Sequence, residues 1–279
     1  MSIETCGIIG VGLMGGSLGL ALRSRGVTVL AVEESPASLR QALAKGAADR
    51  GSADPSILQD AELVVICTPP RAIAAAAARA LPHLKPGCLL ADFGSVKAPI
   101  VQQLDTLLTP GVRFIGLHPM CGTAGQGIEA ARQDLFAGAV LVATPTERTP
   151  SSALADAGQL ASLLGMRIVR LTPEEHDRQI ALLSHVPYLL SIALTHLAPS
   201  TDCAGPSFRD ATRVARSPPA LWEEILSLNH SQVAAAADLL GRELSRLGDL
   251  QGERLREELE QAQRRAAGWD GASPQKDQR

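Results

Sequence analysis

Aromatic side chains are nearly absent, at 3% of the 279 residues. No platform exists on which bases could stack. With 26 basic against 29 acidic side chains, for a net charge of −3, no basic surplus is available to hold a phosphate backbone. Nucleic acid is therefore not expected as a partner. Cysteine is scarce too. The five (Cys6, Cys67, Cys88, Cys121 and Cys203) form no C-x-x-C pair and no metal-ligand spacing, and their number is odd. No metal site is expected, and unpaired thiols suit a reducing cytoplasm. Also missing are an apolar run of about 18 residues and a basic-then-apolar leader ahead of Ile3, so no membrane partner is expected. Charged residues are only 20% against 46% hydrophobic, which is enough to bury a core in one large domain or two.

What is present is an alternation of short apolar runs and helical stretches through the first half. Residues 5–9 read as a buried strand that runs into Gly10-Val11-Gly12-Leu13-Met14-Gly15, after which 18–25 has helical spacing. A G-x-G-x-x-G between strand and helix is the setting that holds a dinucleotide pyrophosphate. Gly10 permits the tight turn, Gly12 lets the backbone approach the phosphates, and Gly15 lets the helix close on the strand. The free N–H groups at the helix start, Leu13 and Met14 among the residues there, favour the negative charge. A second strand, 27–32, ends in Glu33-Glu34. Glu33 stands 18 residues past Gly15, near the spacing at which a carboxylate bonds the ribose 2′-hydroxyl and repels a 2′-phosphate. The expected cofactor is NAD, with NADP left open.

Further strands follow at 63–67, 88–92 and 114–116, each preceded or followed by a helix. Thr68, Ser95 and His118 fall just past their carboxyl ends, where ligands bind in such sheets. Residues 140–144 read as a last strand and 167–171 as a short one. Beyond Pro173 the pattern is helical, with Pro187 expected to kink or break a helix over 174–195. The expected architecture is α/β, an N-terminal Rossmann-like doubly wound parallel sheet with a C-terminal all-helical domain. Its expected boundaries are 1–148 for the dinucleotide-binding domain and 149–267 for the helical one, with a disordered tail over 268–279. A helical domain with long apolar faces points to a homodimer.

Five segments occur in order: Gly10–Gly15, Asp92-Phe93-Gly94-Ser95-Val96-Lys97, Gly116-Leu117-His118-Pro119-Met120-Cys121-Gly122-Thr123, Ser184-His185-Val186-Pro187, and Phe208-Arg209-Asp210-Ala211-Thr212-Arg213. Together they resemble the prephenate/arogenate (cyclohexadienyl) dehydrogenase family of tyrosine biosynthesis, over roughly residues 5–250. The resemblance implies an oxidative decarboxylation of arogenate or prephenate with hydride transfer to NAD. It makes His118 the base that takes the 4-hydroxyl proton, and Ser95 the group hydrogen-bonded to that histidine and to the substrate. Arg213 becomes the clamp on a substrate carboxylate. Thr123 is a candidate pocket wall. His185 is either a substrate contact or a helix-packing residue, and Arg209 either lends charge to the pocket or is solvated. Trp222 packs beside the site or at a dimer interface.

Two departures matter. Several prephenate-using members carry a histidine where this chain has Tyr188 and a glutamate where it has Ala124. Both favour arogenate, or either cyclohexadienol. No fused mutase or regulatory segment is expected after residue 250. Two rival readings remain. A β-hydroxyacid dehydrogenase would need a lysine in the helical domain, yet the only lysine after Lys97 is Lys276. A dinucleotide sensor without chemistry would not need this histidine, serine and arginine.

Overall fold

The structure, a computed structural model, describes residues 3–123 and 125–270. Eight strands form one sheet: β1 (Thr5–Ile9), β2 (Thr28–Val32), β3 (Arg50–Ser52), β4 (Leu63–Ile66), β5 (Leu89–Asp92), β6 (Arg113–Pro119), β7 (Val140–Thr144) and β8 (Arg167–Arg170). Their order is β3-β2-β1-β4-β5-β6-β7-β8. The strand order reverses between β1 and β4, and the crevice outside the carboxyl ends opens there. Helices α1 (Leu13–Arg23), α2 (Pro36–Ala44), α3 (Ile73–Ala80), α4 (Ala98–Leu107) and α5 (Ser151–Leu164) cover its faces. Val29, Val65, Ile115 and Leu141 bury one face against Leu18 and Leu22 of α1 and Leu160 of α5. Leu30, Val64, Leu90 and Phe114 bury the other against Ile73 of α3 and Leu104 of α4. Strands covered on both faces read as unbroken apolar runs, which is why they were visible in the sequence.

Three expectations change. First, β7 pairs with β6 in antiparallel fashion, His118 lying opposite Val142. Between them, the described residues of 120–139 hold one short 3-10 turn (Ile128–Ala130) and no crossover helix, and the chain returns in the reverse direction. Second, β8 pairs in parallel with β7 after the crossover through α5. Ala153, Ala157 and Leu164 of α5 join the sheet's own core. The sheet therefore runs on to Arg170, past the boundary expected at 148/149. Third, Gly268 and Trp269 belong to a helix rather than a tail, since Gly268 keeps a helical backbone instead of the left-handed conformation that would end it. The remainder of the expected tail, 271–279, lies outside the described residues, as does Ala124.

The helical region begins at α6 (Pro173–Ile180). Its start is a reciprocal cap: Thr172 Oγ1 accepts from the Glu175 backbone, and Glu175 from that of Thr172. The helix passes through a single π turn, Ala181–His185, into α7 (Val186–Leu197). Pro187 supplies no N–H to the carbonyl four residues back and crowds it, so the ladder widens instead of breaking. By length and composition, Pro173–Leu197 is apolar enough to cross a bilayer, against the expectation of no such run. About 33% of its most apolar stretch is buried within this chain, and His176, Asp177 and His185 are among the buried residues of the segment. Helices α8 (Pro206–Thr212), α9 (Pro219–Leu228), α10 (His230–Gly248) and α11 (Gly252–Asp270) complete the chain. The core of the helical region is small, centred on Ala181 of the π turn, Val186 of α7, and Val233 and Ala236 of α10. The two halves are tied at the surface, where Arg71 grips Glu223 through two 2.9 Å bonds and its backbone N–H donates to Glu224.

Candidate active site

A cavity of about 1190 Å³ lies between the carboxyl ends of the strands and the helical region. Its walls include Gly10, Gly12, Leu13, Met14, Glu33, Thr68, Ser95, His118, Thr123, His185 and Arg213. The volume exceeds the usual range for one drug-sized ligand and suits a dinucleotide beside a small substrate.

The glycine loop fits a pyrophosphate. Gly10 has φ +88°, a region that side chains with a Cβ avoid. A Cβ on Gly15 would stand 2.0 Å from the Gly10 carbonyl oxygen, so only glycine lets α1 start this close to the turn. At Gly12, the N-cap of α1, nothing lies within 4 Å of an added Cβ, which leaves that backbone open to the cavity. No acidic residue occupies the first turn of α1 to oppose an anion. Thr68 Oγ1 is buried without a partner in the same wall, a polar atom waiting for one. Glu33 caps the second strand beside the loop, accepting from Val11 N at 3.1 Å and from Ser35 N at 3.0 Å. Those two bonds hold its carboxylate at the cavity edge. The residues present therefore fit a dinucleotide.

His118 is the centre of a buried chain of polar groups. It lies within β6 rather than beyond it, because the antiparallel pairing with β7 lengthens that strand past the run visible in the sequence. Its Nδ1 stands 2.8 Å from His176 Nε2, and His176 Nδ1 stands 2.7 Å from Asp177 Oδ1. Asp177 in turn accepts from Lys97 N at 2.7 Å and Ala98 N at 2.8 Å, the first free N–H groups of α4. A carboxylate only accepts, so His176 carries its proton on Nδ1 and presents Nε2 as acceptor. His118 then carries its own proton on Nδ1, and its Nε2 lone pair is the free one. That nitrogen makes no bond within the described residues and is not among the buried polar atoms lacking a partner, so it opens on the cavity.

Burial is the main reason that the His118 pKa falls well below the ordinary histidine value, followed by neighbouring His176, Lys97 and His185. His176 is also lowered by burial, against the pull of Asp177. Both imidazoles are neutral near pH 7, the form a base needs. Lys97 is wholly buried, paired with Asp92 and donating to the Leu117 carbonyl at 3.0 Å, directly behind His118.

The other expected residues divide. Ser95 lines the cavity, but no hydrogen bond joins it to His118, whose Nδ1 is already engaged by His176. His118 Nε2 stays free to take the serine contact that the resemblance implies. Thr123 lines the rim, accepting from Gly125 N at 3.2 Å. His185 is turned inward by the π turn, 3.3 Å from Asn229 Nδ2, and burial pushes its pKa down to about 4. Trp222 lines the cavity between His185 (edge to face) and Tyr188 (stacked). Arg213 opens the 3-10 turn after α8 and faces the cavity with no salt bridge among the described residues. Arg209 sits one helical turn earlier, exposed and outside the cavity wall. Burial raises the Cys121 thiol to about 12, which makes it inert beside the histidine.

Comparison with known proteins places the chain. The family model "Prephenate dehydrogenase, nucleotide-binding domain" matches residues 18–183, and "Prephenate dehydrogenase, dimerization domain" matches 172–263. A cyclohexadienyl dehydrogenase of Zymomonas mobilis is 32% identical over 252 residues, covering 86% of this chain and 86% of the relative. The arogenate dehydrogenase of Synechocystis has a TM-score of 0.83 at 31% identity, over 95% of this chain and 99% of that one. The prephenate dehydrogenase of A. aeolicus, solved with hydroxyphenyl propionate and NAD+, has a TM-score of 0.87 at 28% identity, over 96% and 99%.

Proposed function

Since the chain belongs to the prephenate dehydrogenase family, we infer that it carries out the oxidative decarboxylation of a cyclohexadienol, arogenate or prephenate, in tyrosine biosynthesis, with NAD as cofactor. The observation that carries this reading is the His118 tautomer. A neutral imidazole presents its Nε2 lone pair to the same cavity that holds the glycine loop and an unpaired arginine.

NAD, when bound, accepts the hydride from the carbinol carbon. Gly10, Gly12, Leu13, Met14 and Gly15 would hold its pyrophosphate, Glu33 its ribose hydroxyls, and Thr68 and Ser95 the inner wall. His118 Nε2 takes the 4-hydroxyl proton as the carbinol carbon is oxidised. Loss of CO₂ leaves the C–C bond electrons in the ring, which aromatises, and the histidine returns its proton to the phenolic oxygen. Arg213, free of any carboxylate of its own among the described residues, is suited to clamp a substrate carboxylate. Thr123 and His185 complete the substrate wall.

Tyr188, in place of a histidine, supports arogenate as the preferred substrate. The three relatives named above span arogenate, prephenate and the general cyclohexadienyl class. A homodimer through the helical region is supported by the dimerization-domain match and by the exposed Leu182, Leu183, Leu197, Leu239, Leu244 and Leu259. Five free thiols support the cytoplasm. The deciding experiment is initial-rate NADH formation with arogenate and prephenate side by side, each repeated with NADP. Turnover of either establishes the class, and turnover of neither overturns it.

A further inference from the structure

We propose that His176 and Asp177 are the positioning residues of the base: they lock His118 as the Nδ1–H tautomer and delocalise the charge it gains when it takes the substrate proton. This rests on the reading of His118 given above, and its central measurement does not depend on turnover.

The argument is geometric. Asp177 cannot turn away from His176, because its two oxygens are also fixed by the backbone N–H groups of Lys97 and Ala98 at the start of α4. Its backbone carbonyl is held as well, by Asn229 Nδ2 at 2.8 Å. His176 is wholly buried between Asp177 and His118, with a ring nitrogen committed to each. Every proton on the path is therefore assigned from the carboxylate outward, ending in a lone pair at His118 Nε2. When His118 becomes an imidazolium, its Nδ1–H strengthens toward a neutral acceptor that is itself polarised by a carboxylate. Four other groups face this pair. Lys97 and His185 disfavour the charge, whereas Asp92 and Asp177 favour it. The relay lets a base in an apolar, cation-flanked wall accept a proton at all.

The test uses the full-length protein labelled with ¹⁵N-histidine, with His118 identified by loss of its signals in His118→Asn. In the native protein the ring shifts should report Nδ1–H and a bare Nε2. His176→Phe, which removes the acceptor, should release a mixture of tautomers. It should lower kcat about 10–10²-fold, part of the usual worth of a positioned base. KM for substrate and NAD affinity should stay within about twofold, as only the transition-state term changes. The acid limb of kcat/KM should shift, since the imidazolium loses the neighbour that its Nδ1–H faces. A packing defect alone would not move that limb. His176→Gln, whose amide oxygen can still accept from His118, should restore the tautomer and part of kcat.

An Nε2–H tautomer in the native protein overturns the proposal outright, even if both variants fail to fold. So does a His176→Phe protein with native tautomer and kcat, or a His176→Gln protein no better than His176→Phe. If the native protein oxidises neither cyclohexadienol, the functional reading falls while the ring shifts still decide the relay.

Discussion

Tyr188 lies flat on Trp222, ring centroids 3.8 Å apart and planes 1° from parallel. The stack fixes an indole that lines the cavity from behind, through a residue that does not itself line it. Tyr188→His should weaken the stack and place a nitrogen donor behind the substrate. The ratio of kcat/KM for prephenate to that for arogenate should rise about tenfold, equivalent to about 1.4 kcal/mol. Initial rates with both substrates measure it, and an unchanged ratio removes Tyr188 from any account of specificity.

His118→Asn deletes the lone pair at Nε2 but leaves the glycine loop untouched. Turnover should fall about 10²–10⁴-fold while the NAD dissociation constant, read from fluorescence quenching, stays where it was. Native turnover in this variant would show that some other group takes the proton.

Arg213→Ala should act mainly on KM, because the guanidinium holds a carboxylate in ground and transition states alike. A rise of about 10–10²-fold follows from losing a charge-assisted, two-pronged contact of about 1.5–3 kcal/mol. Should KM stay put while kcat falls, Arg213 acts on the chemistry instead.

Acid should destabilise the fold through its buried histidines. The His185 pKa falls from 6.5 to about 4 on folding. Its contribution is therefore complete above the unfolded value and is lost as pH drops toward the folded one. On that shift alone the native state loses on the order of 2 kcal/mol between pH 7.5 and pH 5. His118 and His176, both lowered, add to the loss, while Asp92, raised by burial, works the other way. Urea unfolding at the two pH values reads the total. His185→Gln should flatten the dependence, and an equally steep variant would contradict the assignment.

The parts of this molecule that the sequence discloses are those whose chemistry is local. Gly10, Gly12 and Gly15 belong to one turn, so their spacing carries their meaning. The buried strands announce themselves as runs such as Leu63-Val64-Val65-Ile66. Strand β3 was not visible, being three residues of Arg, Gly and Ser at the sheet edge, where no apolar run is required. His176 and Asp177 were hidden for a different reason. They lie in Glu174-Glu175-His176-Asp177-Arg178, which has the composition of a solvated first turn. Only the pairing with Lys97 and Ala98, about 80 residues away, turns them inward.

The carboxylate of Asp177 has a mechanical consequence as well as an electrostatic one. It belongs to the first helix after the sheet yet caps the start of α4, a helix of the sheet domain, so together with the His118–His176 bond it pins the two domains deep in the molecule. The surface tie of Arg71 with Glu223 is exposed, where such a pair contributes little. A rotation that widened the crevice while sparing the pin would have Asp177 at its axis and the Arg71 side at its swinging edge. His118 and His176, next to the axis, would scarcely move, and the base would keep its proton arrangement through each opening of the jaw.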